Sequence, residues 1–147
     1  MIRTFIAIDL PEDVRAELVS AASALRQANP SVRWVNPSGM HLTLKFLGDI
    51  EESTVGTLSR ALDAMALNHV PLRLGVEGLG AFPVTRRARV IWAGLSGDLE
   101  ALAELAAGVD RACAAFGVRL ENRPFKAHIT IGRLKTPTVV DLNKDLR

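Results

Sequence analysis

Cysteine is nearly missing from this chain. The one residue, Cys113, excludes an internal disulfide framework and a cysteine-rich zinc site. It lies in an alanine-rich helical pattern and reads as a buried structural thiol. Tyrosine is absent and aromatics are only 5%, so the core has to come from Leu, Val, Ile and Ala. Nowhere does the chain approach the roughly 18 uninterrupted apolar residues that a membrane span needs. The opening MIRTFIAIDLPED meets Asp9, Glu12 and Asp13 too soon for a signal peptide and has no small-residue cleavage site. A cytoplasmic protein is the expectation. Neither sign of charge dominates: the net charge is +2, too small to announce a nucleic-acid binder.

What remains is an ordinary globular composition. With 48% hydrophobic and 23% charged residues the chain can bury a core, and wholesale disorder is excluded. Its 147 residues suit one domain, since domains hold roughly 100–200 residues. Short apolar or alternating runs predict strands over residues 4–10, 32–35, 41–47, 72–79, 90–95, 118–121 and 127–134. A first helix is predicted over residues 11–28, with Val14, Leu18, Ala21, Ala22 and Leu25 on one face. Asp49 and Glu52 read as a capping box for a second helix ending near residue 67. Ser96-Gly97-Asp98 starts a third, which turns Leu99, Leu102, Leu105, Ala106, Val109 and Ala112 inward and ends at Gly117. Residues 85–89 read as a basic loop and residues 135–147 as a tail.

The order strand, helix, short strand, turn, histidine strand occurs twice. Phe5 stands 36 positions before His41, and Val90 stands 38 before His128. Asn36-Pro37 precedes the first histidine strand and Asn122-Arg123-Pro124 the second. Two copies of so long a period are no solenoid; they predict two similar lobes.

Two of the three histidines share a local pattern, His41-Leu42-Thr43-Leu44 and His128-Ile129-Thr130-Ile131. Strand side chains alternate, so each strand presents one imidazole and one hydroxyl on the same face. Histidine changes charge near neutral pH, so one imidazole can act as general base and the other as general acid. Threonine hydroxyls can hydrogen-bond the nonbridging oxygens of a phosphoryl group as charge builds. No carboxylate stands beside either motif, and two histidines alone make a poor zinc set, so no metal site is predicted. His69 has no partner motif and reads as a surface residue.

HLTLKFLG (41–48) and HITIGR (128–133) resemble the paired motifs of the two-histidine phosphoesterase superfamily. More narrowly, FIAIDLP (5–11), WVNPSGMHLTLKFLGDI (34–50), GAFP (80–83), RVIWAGL (89–95) and RPFKAHITIGRL (123–134) resemble the LigT-like RNA 2′,3′-cyclic phosphodiesterases, also called 2′-5′ RNA ligases. The resemblance implies an α+β, bilobal, pseudo-twofold domain over residues 1–147, with two antiparallel sheets flanking a cleft and helices outside. It implies metal-independent opening of a 2′,3′-cyclic phosphate at an RNA end to leave a 2′-phosphate, and by reversal a 2′-5′ joining reaction. His128 is assigned as base and His41 as acid, with Thr43 and Thr130 on the phosphate. No cofactor is expected, and there is no GxxxxGK[ST] loop to bind a nucleotide one. The expected partners are RNA ends carrying the cyclic phosphate, tRNA fragments among them, and no membrane.

Further residues carry two readings each. Arg133 ends the second motif, where the family commonly has an arginine. Strict alternation puts it opposite His128, so it reaches the site only through a twist or bulge; otherwise it is structural. Lys45 shares a face with His41 and Thr43, to touch phosphate or stay solvated. Arg86, with Arg87 and Arg89, follows an RNA backbone or forms a solvated loop. Phe82 and Phe125 are the preferred base-stacking candidates, ahead of Trp34 and Trp92. The resemblance also implies a further strand and terminal helix after the second motif, whereas LKTPTVVDLNKDLR is not similar to that ending. A monomer is expected, and a missing strand would leave a sheet edge open to dimerisation or strand exchange. Two other functions fit the same residues: a cyclic phosphodiesterase for small nucleotides or 2′-5′ linkages, and a non-catalytic RNA-end-binding domain.

Overall fold

The computed structural model describes residues 1–142. In chain order its elements are β1 (Ile2–Ile8), α1 (Glu12–Leu25), β2 (Arg33–Trp34), β3 (Leu42–Ile50), α2 (Glu52–Ala66), β4 (Leu74–Phe82), β5 (Ala88–Gly97), α3 (Leu99–Ala114) and β6 (His128–Thr138). The fold is α+β with two antiparallel sheets, β1-β3 and β2-β6-β5-β4. The chain divides into two compact units, each assembled from three separate stretches, and one of the crossings between them falls between Leu42 and Thr43.

The first unit comprises Met1–Ile8, Thr43–Arg73 and Asp98–Ala127. Its core centres on Leu58 of α2 with Val109 and Cys113 of α3, covered by Ile6, Leu44, Leu47, Ile50, Leu62, Met65, Phe116 and Val118. Helical spacing puts Leu58, Leu62 and Met65 on one stripe of α2, and α2 packs on α3. Two expectations fail here. Asp49 is not a cap: β3 runs on through Gly48, at φ 74°, to Ile50, so Asp49 belongs to the strand. The N-cap is Glu51, whose side chain makes no capping bond. Residues 118–121 form no strand either: the Val118 N–H donates to the Cys113 carbonyl, and side chains take two further backbone groups. The Arg119 carbonyl accepts from Lys45 Nζ at 3.0 Å, and the Glu121 N–H donates to the Asp110 carboxylate at 3.1 and 3.2 Å.

The second unit comprises, among the described residues, Asp9–Leu42, Leu74–Gly97 and 128–142. One face of its four-stranded sheet is sealed. Ile91, Ala93, Ile129 and Ile131 are fully buried there, and α1, which packs on β6, buries Leu18, Ala22 and Leu25. The first helix ends at Leu25 rather than residue 28, in a turn closed by Asn29 N–H to the Arg26 carbonyl. The stretch expected to be a tail is ordered as far as it is described. β6 extends to Thr138, which pairs with Ala88. Val140 N–H then donates to the Thr85 carbonyl at 2.9 Å, and buried Asn29 bonds both backbone groups of Asp141. Residues 143–147 lie outside the described residues.

Candidate active site

The other face of the four-stranded sheet carries the second histidine motif. His128 opens β6 opposite Gly94, and Thr130 stands opposite Trp92. Both motif residues are half-buried, while Ile129 between them is fully buried on the other face. Phe82 of β4 packs edge-on against the His128 ring, with centroids 5.2 Å apart at 89°. It also leans on Trp92 at 5.3 Å. The Trp92 indole lies over Gly80, where any Cβ would collide with the ring. Trp92 therefore backs the aromatic that packs on His128, whereas its sequence context offered it only as a base-stacking candidate. Its buried indole N–H has no acceptor among the described residues.

Edge strand β2 leads to the first motif. Trp34 pairs with Gly132, and Val35 N–H donates to the Ile131 carbonyl at 2.9 Å. Because β2 runs antiparallel to β6, the chain leaving it heads toward the His128 end. It then turns through a 3₁₀ segment, Pro37–Gly39, capped by the Asn36 side chain on Ser38 N–H. Met40 is buried, half-buried His41 follows, and β3 begins at Leu42. Thr43, two positions on from His41, is half-buried.

A bulge decides the position of Arg133. Ile91 pairs with Gly132 but Trp92 pairs with Thr130, so Ile131 is an extra residue on β6. Burial slips by one at that point: Ile131 and Gly132 are both buried and Arg133 is exposed. Val90 and Trp92 share a face of β5, so their partners Arg133 and Thr130 share one too. The bulge thus turns Arg133 to the His128 face, five positions along the strand.

Other candidates separate. Lys45 is neither solvated nor open to a phosphate. Only 9% exposed, it donates to Asp110 Oδ1 at 2.6 Å and to the Arg119 carbonyl. The alternation of β3 gives no sign of the carboxylate that α3 brings to Lys45. Arg86 is exposed on the 3₁₀ turn Thr85–Arg87, which joins β4 to β5 at the sheet end away from His128. Phe125 is half-buried in the coil before β6. His69, expected at the surface, is half-buried beside Gly108 of α3. In that coil the Glu121 carboxylate accepts the backbone N–H groups of Arg123 and Asn122; the Arg123 bond is the main cause holding its pKa below the usual carboxylate range. Among the described residues no three His, Cys, Asp or Glu side chains cluster to hold a metal.

A family model described as LigT like Phosphoesterase matches residues 8–92 and 95–146. The chain belongs to the LigT-like phosphoesterases. This LigT-like chain is 32% identical over 136 residues to the RNA 2′,3′-cyclic phosphodiesterase of Methanothermobacter thermautotrophicus, covering 92% of itself and 73% of that protein. It is 38% identical over 116 residues to the RNA 2′,3′-cyclic phosphodiesterase of Aquifex aeolicus, covering 78% of itself and 62% of that protein, less than two thirds of it. It is also similar to the crystal structure of E. coli LigT complexed with 3′-AMP. The TM-score there is 0.77 at 26% identity, over 99% of this chain and 79% of that one.

Proposed function

We propose that this chain hydrolyses RNA-terminal 2′,3′-cyclic phosphate to a 2′-phosphate by two-histidine acid–base catalysis. The observation that carries the reading is the rigid seating of His128 between Gly94 and Phe82, at the sheet end toward which β2 leads the chain to His41. Family membership, and the activity named for the two relatives, support it. So does the 3′-AMP held by E. coli LigT, a nucleotide bearing its phosphate on a ribose 3′ oxygen.

In this mechanism His128 takes a proton from water as the water oxygen bonds to phosphorus. The P–O3′ bond breaks, and His41 delivers a proton to the departing O3′ while O2′ keeps the phosphate. Thr130 and Thr43 donate hydroxyl hydrogen bonds to the nonbridging oxygens, where charge accumulates. Phe82, held by Trp92, offers a surface for the terminal base. With a 5′-hydroxyl in place of water, the same groups would form a 2′-5′ bond: the 5′ oxygen bonds to phosphorus as His128 takes its proton, the P–O3′ bond breaks, and His41 protonates O3′. The substrate is an RNA end, tRNA fragments among them, and the setting is a cytoplasmic monomer. No helix among the described residues is long and apolar enough to cross a membrane.

The test is hydrolysis of a short RNA ending in 2′,3′-cyclic phosphate, in EDTA, with product regiochemistry determined. His41→Ala and His128→Ala should each lower kcat by about 10²–10⁴-fold, and the parent should yield only the 2′-phosphate. A 3′-phosphate product, or full activity in either variant, rejects the assignment.

A further inference from the structure

The far end of the same sheet carries a charge arrangement that folding does not explain. Arg33 on edge strand β2 stands directly opposite Arg133 on β6. Directly opposed residues project to one face with Cβ atoms about 4.5–5.5 Å apart, and like charges there repel. Both side chains are exposed, and among the described residues neither has a carboxylate partner. Lys135 adds a third exposed cation two positions on from Arg133. With Trp34, Val35 and Leu134 these three line a shallow depression of about 480 Å³, and none of the six is acidic. The Arg86 turn lies at this same end of the sheet.

We propose that this depression holds the phosphodiester backbone of single-stranded RNA upstream of the terminal cyclic phosphate, with Arg33 and Arg133 clamping one phosphate. An anion between the two guanidiniums turns their repulsion into paired charge-assisted hydrogen bonds. Lys135, exposed two positions on, adds charge to the next stretch of backbone. The depression runs away from the reacting end: Arg133 pairs with Val90, four positions along β5 from Gly94, the partner of His128, roughly 13 Å at strand rise, and Lys135 lies two positions farther. The inference rests on the hydrolase reading and specifies its substrate: an oligonucleotide, gripped away from the reacting end.

The test compares the parent with Arg33→Ala, Lys135→Ala and the double variant on two substrates. One is a short RNA ending in 2′,3′-cyclic phosphate and the other a 2′,3′-cyclic mononucleotide. The ratio of kcat/KM for RNA over mononucleotide should fall about tenfold in the double variant, through KM. Binding of a fluorescent 2′-phosphorylated RNA should lose salt dependence, its log–log slope dropping by about 0.7 for each phosphate contact removed. Arg33→Ala should melt no lower than the parent, since it relieves a repulsion. An unchanged ratio with an unchanged salt slope overturns the proposal. If the parent turns over neither substrate, the hydrolase reading fails, and the salt slope still decides whether the depression binds RNA.

Discussion

Lys45 illustrates how one distant carboxylate redefines a side chain. On β3 it is in phase with His41 and Thr43, and a solvated ammonium there would attract phosphate. Asp110 reaches it from α3 instead, leaving the two side chains 7% and 19% exposed. Removing one member of so enclosed a pair strands the other, which typically costs about 3–5 kcal/mol. Lys45→Met should therefore destabilise the protein by about that much in urea unfolding, while KM for the cyclic phosphate stays near the parent value. A raised KM with unchanged stability would return Lys45 to the substrate. Cys113 sits in the same core, and burial pushes its thiol above the usual range. A folded pKa above the unfolded one means that the neutral thiol's contribution is complete below the unfolded value. It is lost as pH rises through the folded value. A disulfide exchange reagent at pH 8 should accordingly label Cys113 only at the rate of unfolding. The buried cysteine was legible in the helical pattern around it. The ion pair was not, because residues 65 positions apart form it.

At the scale of elements, periodicity located all three helices and six of the seven predicted strands. It faltered where backbone groups find unexpected partners. Residues 118–121 have an acceptable strand composition, but side chains of β3 and α3 take their hydrogen bonds. The β6 bulge was invisible as well, since a run such as HITIGRL does not mark where its alternation slips. Arg133 changes face because of that slip. A different irregularity explains Gly94. On β4 the register shifts between Val76 and Leu79, and a Cβ on Gly94 would lie 2.6 Å from the Glu77 carbonyl oxygen. Backbone oxygen cannot rotate away, so Gly94→Ala must move β4 or β5. Because Gly94 is the ladder partner of His128, the motion enters the site. We expect Gly94→Ala to cost about 1–3 kcal/mol of stability, as overpacking does, and to lower kcat more than it raises KM. Thermal unfolding together with steady-state kinetics checks both. A variant that melts like its parent and turns over normally would show that the strand absorbs the methyl group freely.

Across the whole molecule, the contacts hardest to read from sequence tie the chain's distant parts together. Asn29, just past the end of α1, is 4% exposed and bonds residue 141, 112 positions away. Its Nδ2 donates to the carbonyls of Leu25 and Asp141, both at 2.9 Å, and its Oδ1 accepts the Asp141 N–H at 2.8 Å. Asn29-Pro30 announces a helix end in the sequence, but nothing local foretells that the amide holds the segment after β6. That segment in turn pins the basic turn through Val140 and Thr85. Asn29→Ala removes the partner of the Leu25 carbonyl and of both backbone groups of Asp141, should cost about 1–3 kcal/mol in all, and should open residues near 140 to protease. Asn29→Asp keeps the acceptor for Asp141 N–H but faces two carbonyls with a carboxylate. Neutralising that carboxyl restores a donor, so its folded pKa must lie above the unfolded value of about 3.9. Its stabilising contribution is then complete below the unfolded pKa and lost as pH rises through the folded one. Relative to the parent, Asn29→Asp should be least stable at neutral pH and recover as pH falls toward 4. A stability deficit that stays constant over that range would mean that water, not the two carbonyls, surrounds residue 29.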